Sequence, residues 1–127
     1  MKVWLVLPGS RCAPAFSGSD QLVARARSAL RRSRPDIAEA FILEAGDFVA
    51  RSAPCLNLLG LIAEARGQWG KAKRFWGRSI RADRSYLPPR ENLRRWFELT
   101  HFGRSAFSVA FGDEVYTVVE PYDRAPC

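Results

Sequence analysis

Apolar residues recur every three to four positions over most of the chain, a spacing that predicts amphipathic helices. The first helix is predicted over residues 19–33, with arginines opposite its apolar stripe. A second is expected to begin at Pro35, to continue through Gly46 and to end before Pro54. Proline suits the first turn of a helix and disfavours helical geometry in the residue before it, so the prolines set both boundaries.

Three further helices are predicted over residues 54–65, 69–81 and 88–103. Gly67 separates the first two, because glycine takes the left-handed conformation that ends a helix at little steric cost. These elements predict a mainly α fold with a helical domain over residues 19–103.

The period changes after Gly103. Phe107, Val109 and Phe111 alternate with smaller or polar residues, Gly112-Asp113 is a two-residue turn signal, and residues 115–119 are rich in β-branched side chains. This pattern predicts a β-hairpin in the C-terminal tail, 104–127, with an extended tail as the alternative. Residues 1–18 are interpreted as an N-terminal extension, for which an extended conformation is one reading.

An internal repeat of 34 residues relates two predicted helix pairs. Sliding the chain by that length aligns Ala38 with Ala72, and Ile42 with Trp76. Repeated small and large positions predict antiparallel helical hairpins that stack and bury their apolar faces against one another.

Residues 53–86 carry the clearest copy of this repeat. Its small, aromatic, turn and acidic positions are Leu56, Leu59-Gly60, Ala63, Gly67, Trp69, Ala72, Phe75-Trp76, Ser79 and Asp83. In this spacing the chain resembles the tetratricopeptide repeat (TPR) family, strongly over these 34 residues and more weakly over 19–103, for about two and a half repeats. The sequence departs from the motif at Arg84, where the family has a proline.

The resemblance implies a non-catalytic protein–protein interaction or scaffold module that binds a peptide or partner protein. The binding surface would be the concave face formed by the first helix of each hairpin. The matching positions are Asn57, Leu61, Glu64, Arg90 and Arg94. Asn57 would hydrogen-bond a peptide backbone above an apolar seat at Leu61, while a solvated helix residue is the alternative reading of Asn57. A short array with open ends also favours self-association.

The charge adds a second candidate surface. The formal net charge is +7, from 20 basic and 13 acidic residues. Lys71, Arg74, Arg78 and Arg81 fall on one face of the fourth helix and are candidates to bind an anionic ligand. The alternative function is therefore an arginine-rich helical domain that binds nucleic acid. A solvated helix surface explains the same residues without any ligand.

Catalytic chemistry has little support in the sequence. His101 is the only histidine, and the three cysteines are widely spaced without a C-x-x-C pair, so neither a metal site nor another cofactor is expected. No stretch approaches the roughly 20 apolar residues of a membrane span. We therefore expect a cytoplasmic protein that is not an enzyme and has no membrane partner.

Overall fold

Helices cover most of the computed structural model, which describes residues 18–113. Most of the predicted N-terminal extension, and the second arm of the predicted hairpin, lie outside the described residues. The fold is mainly α. In chain order the helices are α1 (Gly18–Arg31), α2 (Pro35–Ala45), α3 (Asp47–Ala50), α4 (Ala53–Ala65), α5 (Trp69–Ala82) and α6 (Pro88–Phe102).

Proline and glycine set the ends of these helices. Proline stands at the first or second position of α2, α4 and α6, where no intrahelical N–H bond is lost. Gly67 takes a φ of 76° after α4, and the next amide, of Gln68, donates to the carbonyl of Ala63 at 2.8 Å. Gly103 has the same φ after α6. These ends agree with the sequence prediction to within two residues.

The predicted second helix is wrong in its length. Gly46 adopts a φ of 97°, which interrupts it and separates α2 from the single turn of α3. A residue with a β-carbon rarely takes that conformation, whereas glycine does so at little cost. Phe48, which lies beyond this break, is 90% exposed.

The core lies around α4, because nine of its 13 residues are buried. Two helical pairs, α1 with α2 and α4 with α5, are joined by short loops and pack against each other. Gly60 on α4 lies directly against Trp76 on α5, so that a β-carbon at Gly60 would lie 2.6 Å from the indole Cδ1 atom. The fully buried indole donates through Nε1 to the carbonyl of Asn57 at 3.3 Å.

The last described segment, residues 104–113, runs back across the molecule from α6 to α1. It contains no strand, and its residues bond to side chains of α1, α4 and α6. Ala110 is buried and Val109 is 36% exposed. The β-hairpin stays a prediction, since residues 115–119 lie outside the described range.

Within residues 18–113, no helix is long and apolar enough to cross a membrane.

Candidate functional site

Residues 104–113 lie along one surface of the helical domain, which we call the inner face. Its contacting side chains come from α1, α4 and α6, and they are Arg27, Arg31, Asn57, Leu61, Asn92, Arg94 and Glu98. These three helices bring together residues that lie up to 71 positions apart. The inner face therefore exists only in the folded chain.

Two buried asparagines form the centre of the inner face. Asn57 and Asn92 are both 0% exposed, and the Nδ2 group of Asn92 donates to Oδ1 of Asn57 at 2.9 Å. The Nδ2 groups of Asn57 and Asn92 both donate to the carbonyl of Ala110, at 3.0 and 2.9 Å. The amide of Ala110 in turn donates to Oδ1 of Asn92 at 3.0 Å. Both backbone groups of Ala110 are thus bonded to side chains.

The asparagine pair bonds both backbone groups of Ala110. Another residue could bond the pair through its own N–H and C=O groups, provided that its side chain fits the buried position of Ala110. Because the asparagines are buried, leaving them without partners would cost about 1–3 kcal/mol for each unpaired group. The centre of the inner face therefore favours an occupant that pairs both backbone groups with the asparagines.

On α6 the structure brings Asn92 to the centre of the inner face, with the predicted residues Arg90 and Arg94 lying farther out. Arg90 is exposed, and its side chain donates to the carbonyl of Arg84 at 3.4 Å, away from the inner face. Asn92 takes the inner position. Its place in α6 matches that of Asn57 in α4, since each asparagine is the fifth residue of its helix. Arg94 is exposed at the rim, where its guanidinium lies 5.5 Å from the ring of Phe107.

Glu64, predicted to face a ligand, is engaged by a neighbouring helix. Arg95 of α6 donates to both of its carboxylate oxygens, at 2.5 and 2.7 Å. The Arg95 side chain is only 6% exposed and that of Glu64 19%, so the pair is largely removed from water. The two residues join α4 to α6 behind the asparagine pair.

Leu61 provides an apolar wall beside the asparagines. It is buried, and it lines a cleft of about 250 Å³ together with Leu30, Val109 and Phe111. Phe111 is half-buried and packs against the core. The apolar seat predicted at Leu61 is next to an aromatic side chain of the protein's own tail.

Two arginines of α1 hold the end of the segment. Arg27 donates through Nε to the carbonyl of Phe111 at 3.0 Å. Arg31 donates both terminal nitrogens to the carboxylate of Asp113, at 2.8 and 2.5 Å, and its guanidinium carbon lies 4.4 Å from the centre of the Phe111 ring. The bonds from Arg31 hold the pKa of Asp113 below its ordinary value of 3.8. The α1 end of the inner face thus favours an acidic group.

The opposite end uses a carboxylate of α6. Glu98 accepts a hydrogen bond from the hydroxyl of Ser105 at 2.8 Å and another from the amide of Ala106 at 3.1 Å. These bonds, with the Ser105 hydroxyl making the largest contribution, lower the pKa of Glu98 from its ordinary value of 4.5. The segment is therefore held at both ends as well as at its centre.

The second predicted surface lies on the outside of α5. Lys71, Arg74, Arg78 and Arg81 are all exposed, and none of them forms an ion pair with another described residue. Gly70 and Gly77 line a shallow groove along the helix together with Lys73, Arg74, Arg78 and Arg81. The structure thus places three of the four predicted cations along this groove, on the side of the hairpin away from the inner face.

The sequence analysis missed four residues of the inner face: Arg27, Arg31, Asn92 and Glu98. A signal for Asn92 was present, since it repeats the position of Asn57 within its helix. Arg27 and Arg31 could be found only by applying the 34-residue offset to Leu61 and to Ala65. Nothing local distinguishes Glu98 from an ordinary helix-surface carboxylate.

His101 lies away from the inner face, at the end of α6. Its exposed ring stacks on Phe97 with 4.0 Å between centroids, and its Nδ1 atom lies 3.0 Å from the carbonyl of Phe97. Among residues 18–113, no group of three or more His, Cys, Asp or Glu side chains is placed to hold a metal ion. These contacts give His101 a packing role at the end of the helix.

Comparison of the chain with protein-family models, with curated proteins and with solved structures finds no match.

Proposed function

We propose that the chain is a non-catalytic protein-interaction module of the tetratricopeptide-repeat type, which binds an extended peptide segment of a partner protein on its inner face. The observation that carries the proposal is the pairing of both backbone groups of Ala110 with the buried side chains of Asn57 and Asn92. The same side chains could bond the N–H and C=O groups of a partner peptide.

The packing of the second hairpin supports the repeat-type arrangement. The small residue Gly60 and the large residue Trp76 meet across α4 and α5, as their positions in the motif imply. Ser79, at a small position of the motif, is buried and donates its hydroxyl to the carbonyl of Ala53 at 2.7 Å.

A peptide-display selection tests the proposal. The full chain carrying Gly112→Ala, which disfavours docking of residues 104–113, is immobilised and random peptides are selected. The affinity of each enriched peptide is then measured for that chain and for the same chain with Arg27→Glu or Arg78→Glu added. We expect enriched peptides that lose about tenfold or more in affinity with Arg27→Glu, a loss of about 1.4 kcal/mol, and little with Arg78→Glu. No enrichment, or equal binding to the Arg27 variant, would contradict the proposal.

A second candidate function is binding of nucleic acid by the outer side of α5. The observation that favours it is the set of four exposed cations without acidic partners among the described residues. If all four contacted phosphates of duplex DNA, the slope of log affinity against log salt would be about −3 to −4. Arg74→Glu combined with Arg78→Glu should then reduce the slope by about 2. A flat salt response would eliminate this candidate.

A further inference from the structure

The inner face already holds a segment of chain, and the chemistry of that segment indicates which partner fits. We propose that residues 104–113 are an internal ligand, and that the partner segment replaces them with the same pattern: a small residue, an aromatic residue, glycine and an acidic residue. This inference rests on the proposed function, because it identifies the ligand of the same face. The internal copy of the pattern is Ala110, Phe111, Gly112 and Asp113.

The first position is restricted by burial. Ala110 is 2% exposed, and both of its backbone groups are bonded to the asparagine pair. Burial leaves little room for a longer side chain at this position. A small residue in the partner would allow its backbone to reach Asn57 and Asn92.

The aromatic position is defined by packing on one side and by charge on the other. Phe111 packs against the core beside Leu61, while the guanidinium of Arg31 lies over its ring at 4.4 Å. A cation over an aromatic face contributes about 0.5–1 kcal/mol at an exposed site. Arg27 donates to the carbonyl of Phe111 at 3.0 Å, so the aromatic residue too is bound through its backbone.

The glycine position is restricted by conformation and by space. Gly112 has a φ of 104°, and a β-carbon there would overlap the hydroxyl oxygen of Tyr86 and lie 3.3 Å from Nη2 of Arg27. Any other residue would have to move Tyr86 and adopt a strained backbone. A partner with glycine at this position avoids both costs.

The acidic position follows from the charge of α1. Arg31 forms two parallel bonds to the carboxylate of Asp113, and this geometry suits a planar carboxylate. Arg27 lies one helical turn away and adds positive potential at the same end. A basic residue in the partner would be repelled here.

The contacts of residues 104–113 are suited to exchange. Arg31 and Asp113 retain 43% and 42% exposure of their side chains, and exposed ion pairs of this kind contribute little free energy. The segment is nevertheless favoured by its covalent connection through Gly103, which gives it an effective concentration on the order of millimolar. A partner must overcome that local concentration, so weakening the internal segment should strengthen binding in trans.

A fluorescent peptide with the sequence RSAFSVAFGD and blocked ends tests the inference. Its affinity is measured by fluorescence anisotropy for the full wild-type chain and for Gly112→Ala, which disfavours the internal segment but leaves every side chain of the inner face intact. Asp113→Lys in the chain serves as a second release variant. Gly70→Ala is the control, since a β-carbon there has no heavy atom nearer than 3.9 Å.

We expect both release variants to bind the peptide at least about tenfold more tightly than wild type, a difference of about 1.4 kcal/mol, and the control to match wild type. A peptide in which the residue corresponding to Asp113 is lysine should bind the release variants more weakly. Native mass measurement of the same samples should find monomers with bound peptide.

Three results would overturn the inference. Equal affinity of wild type and the release variants would mean that residues 104–113 do not compete with the peptide, although the proposed function would stand. If RSAFSVAFGD did not bind the release variants while display-selected peptides still did, only the ligand pattern would be refuted. Dimers in which copies exchange residues 104–113 would show that the occupant of the inner face is a second copy of the chain. If no peptide of any kind bound, the proposed function itself would be refuted.

Discussion

Replacing Asn92 by alanine is the substitution that most sharply tests the centre of the inner face. The Asn92 side chain forms three hydrogen bonds with Asn57 and Ala110, between 2.9 and 3.0 Å long, and accepts a fourth at 3.3 Å from Nη2 of Arg95, which also bonds Glu64. Asn92→Ala removes all of them at a position that is 0% exposed. Oδ1 of Asn57 and the amide of Ala110 would be left without their partners, while the carbonyl of Ala110 would keep its bond from Asn57.

The expected loss of stability can be estimated from these two groups. A buried polar group without a partner costs about 1–3 kcal/mol, so two of them cost about 2–6 kcal/mol. Alanine returns about 0.7 kcal/mol through its higher helix propensity. The free energy of unfolding should therefore fall by about 1–5 kcal/mol. If residues 104–113 dissociate from the face, water satisfies both groups, and the loss is limited to the free energy of docking that segment.

Two measurements distinguish these outcomes. Urea unfolding followed by far-UV circular dichroism gives the change in stability, and hydrogen exchange of the Ala110 amide reports whether the segment remains docked. Arg90→Ala is the matched control on the same helix, because Arg90 is exposed and its change should stay within about 0.5 kcal/mol. If Asn92→Ala left both stability and Ala110 protection unchanged, the description of the inner face would be refuted.

Two further predictions concern the packing of the second hairpin and the pH dependence of the docked segment. Gly60→Ala should lower the free energy of unfolding by about 1–2 kcal/mol despite better helix propensity, because its β-carbon overlaps Trp76. Gly70→Ala should raise the free energy of unfolding by about 0.5–1 kcal/mol. Thermal or urea unfolding of the two variants checks this prediction, and equal effects would contradict it. The pKa of Asp113 is lowered in the folded chain, chiefly by its bonds from Arg31, so its stabilising contribution is fully present above the unfolded value of 3.8 and is lost as pH falls through the lower folded pKa. Protection of the Ala110 amide, corrected for the intrinsic pH dependence of exchange, should therefore decrease below pH 3.8 in wild type and change less in Asp113→Asn; identical profiles would contradict this link.

The helix boundaries were the most predictable part of the fold. Prolines at the starts of α2, α4 and α6, and glycine with positive φ after α4 and α6, act through local backbone geometry that sequence patterns express directly. The break at Gly46 was harder to predict, since glycine inside a helical pattern either continues the helix at a cost of about 1 kcal/mol or breaks it. Tertiary packing decides between these outcomes.

The candidate site was less predictable, because its central contacts join distant parts of the chain. Asn57 was selected as a residue that could bond a peptide backbone, but its bond to Ala110 spans 53 residues and no local pattern predicts that pairing. The repeat spacing predicts Arg90 and Arg94 as counterparts on α6, whereas the start of α6 at Pro88 places Asn92 at the centre of the inner face and Arg94 at its rim. Glu64 was expected to face a ligand, and its pairing with Arg95 likewise depends on how two helices pack.

Peptide binding by the inner face is tested most simply by a nuclear magnetic resonance titration of the isotope-labelled full chain with the blocked RSAFSVAFGD peptide. It follows the side-chain amide signals of Asn57 and Asn92 together with hydrogen exchange of the Ala110 amide. If the inner face binds extended backbone, the asparagine side chains should stay protected with shifted signals while Ala110 loses its protection as peptide binds. A peptide that binds without changing any of these three signals would place the site elsewhere and refute peptide binding by the inner face.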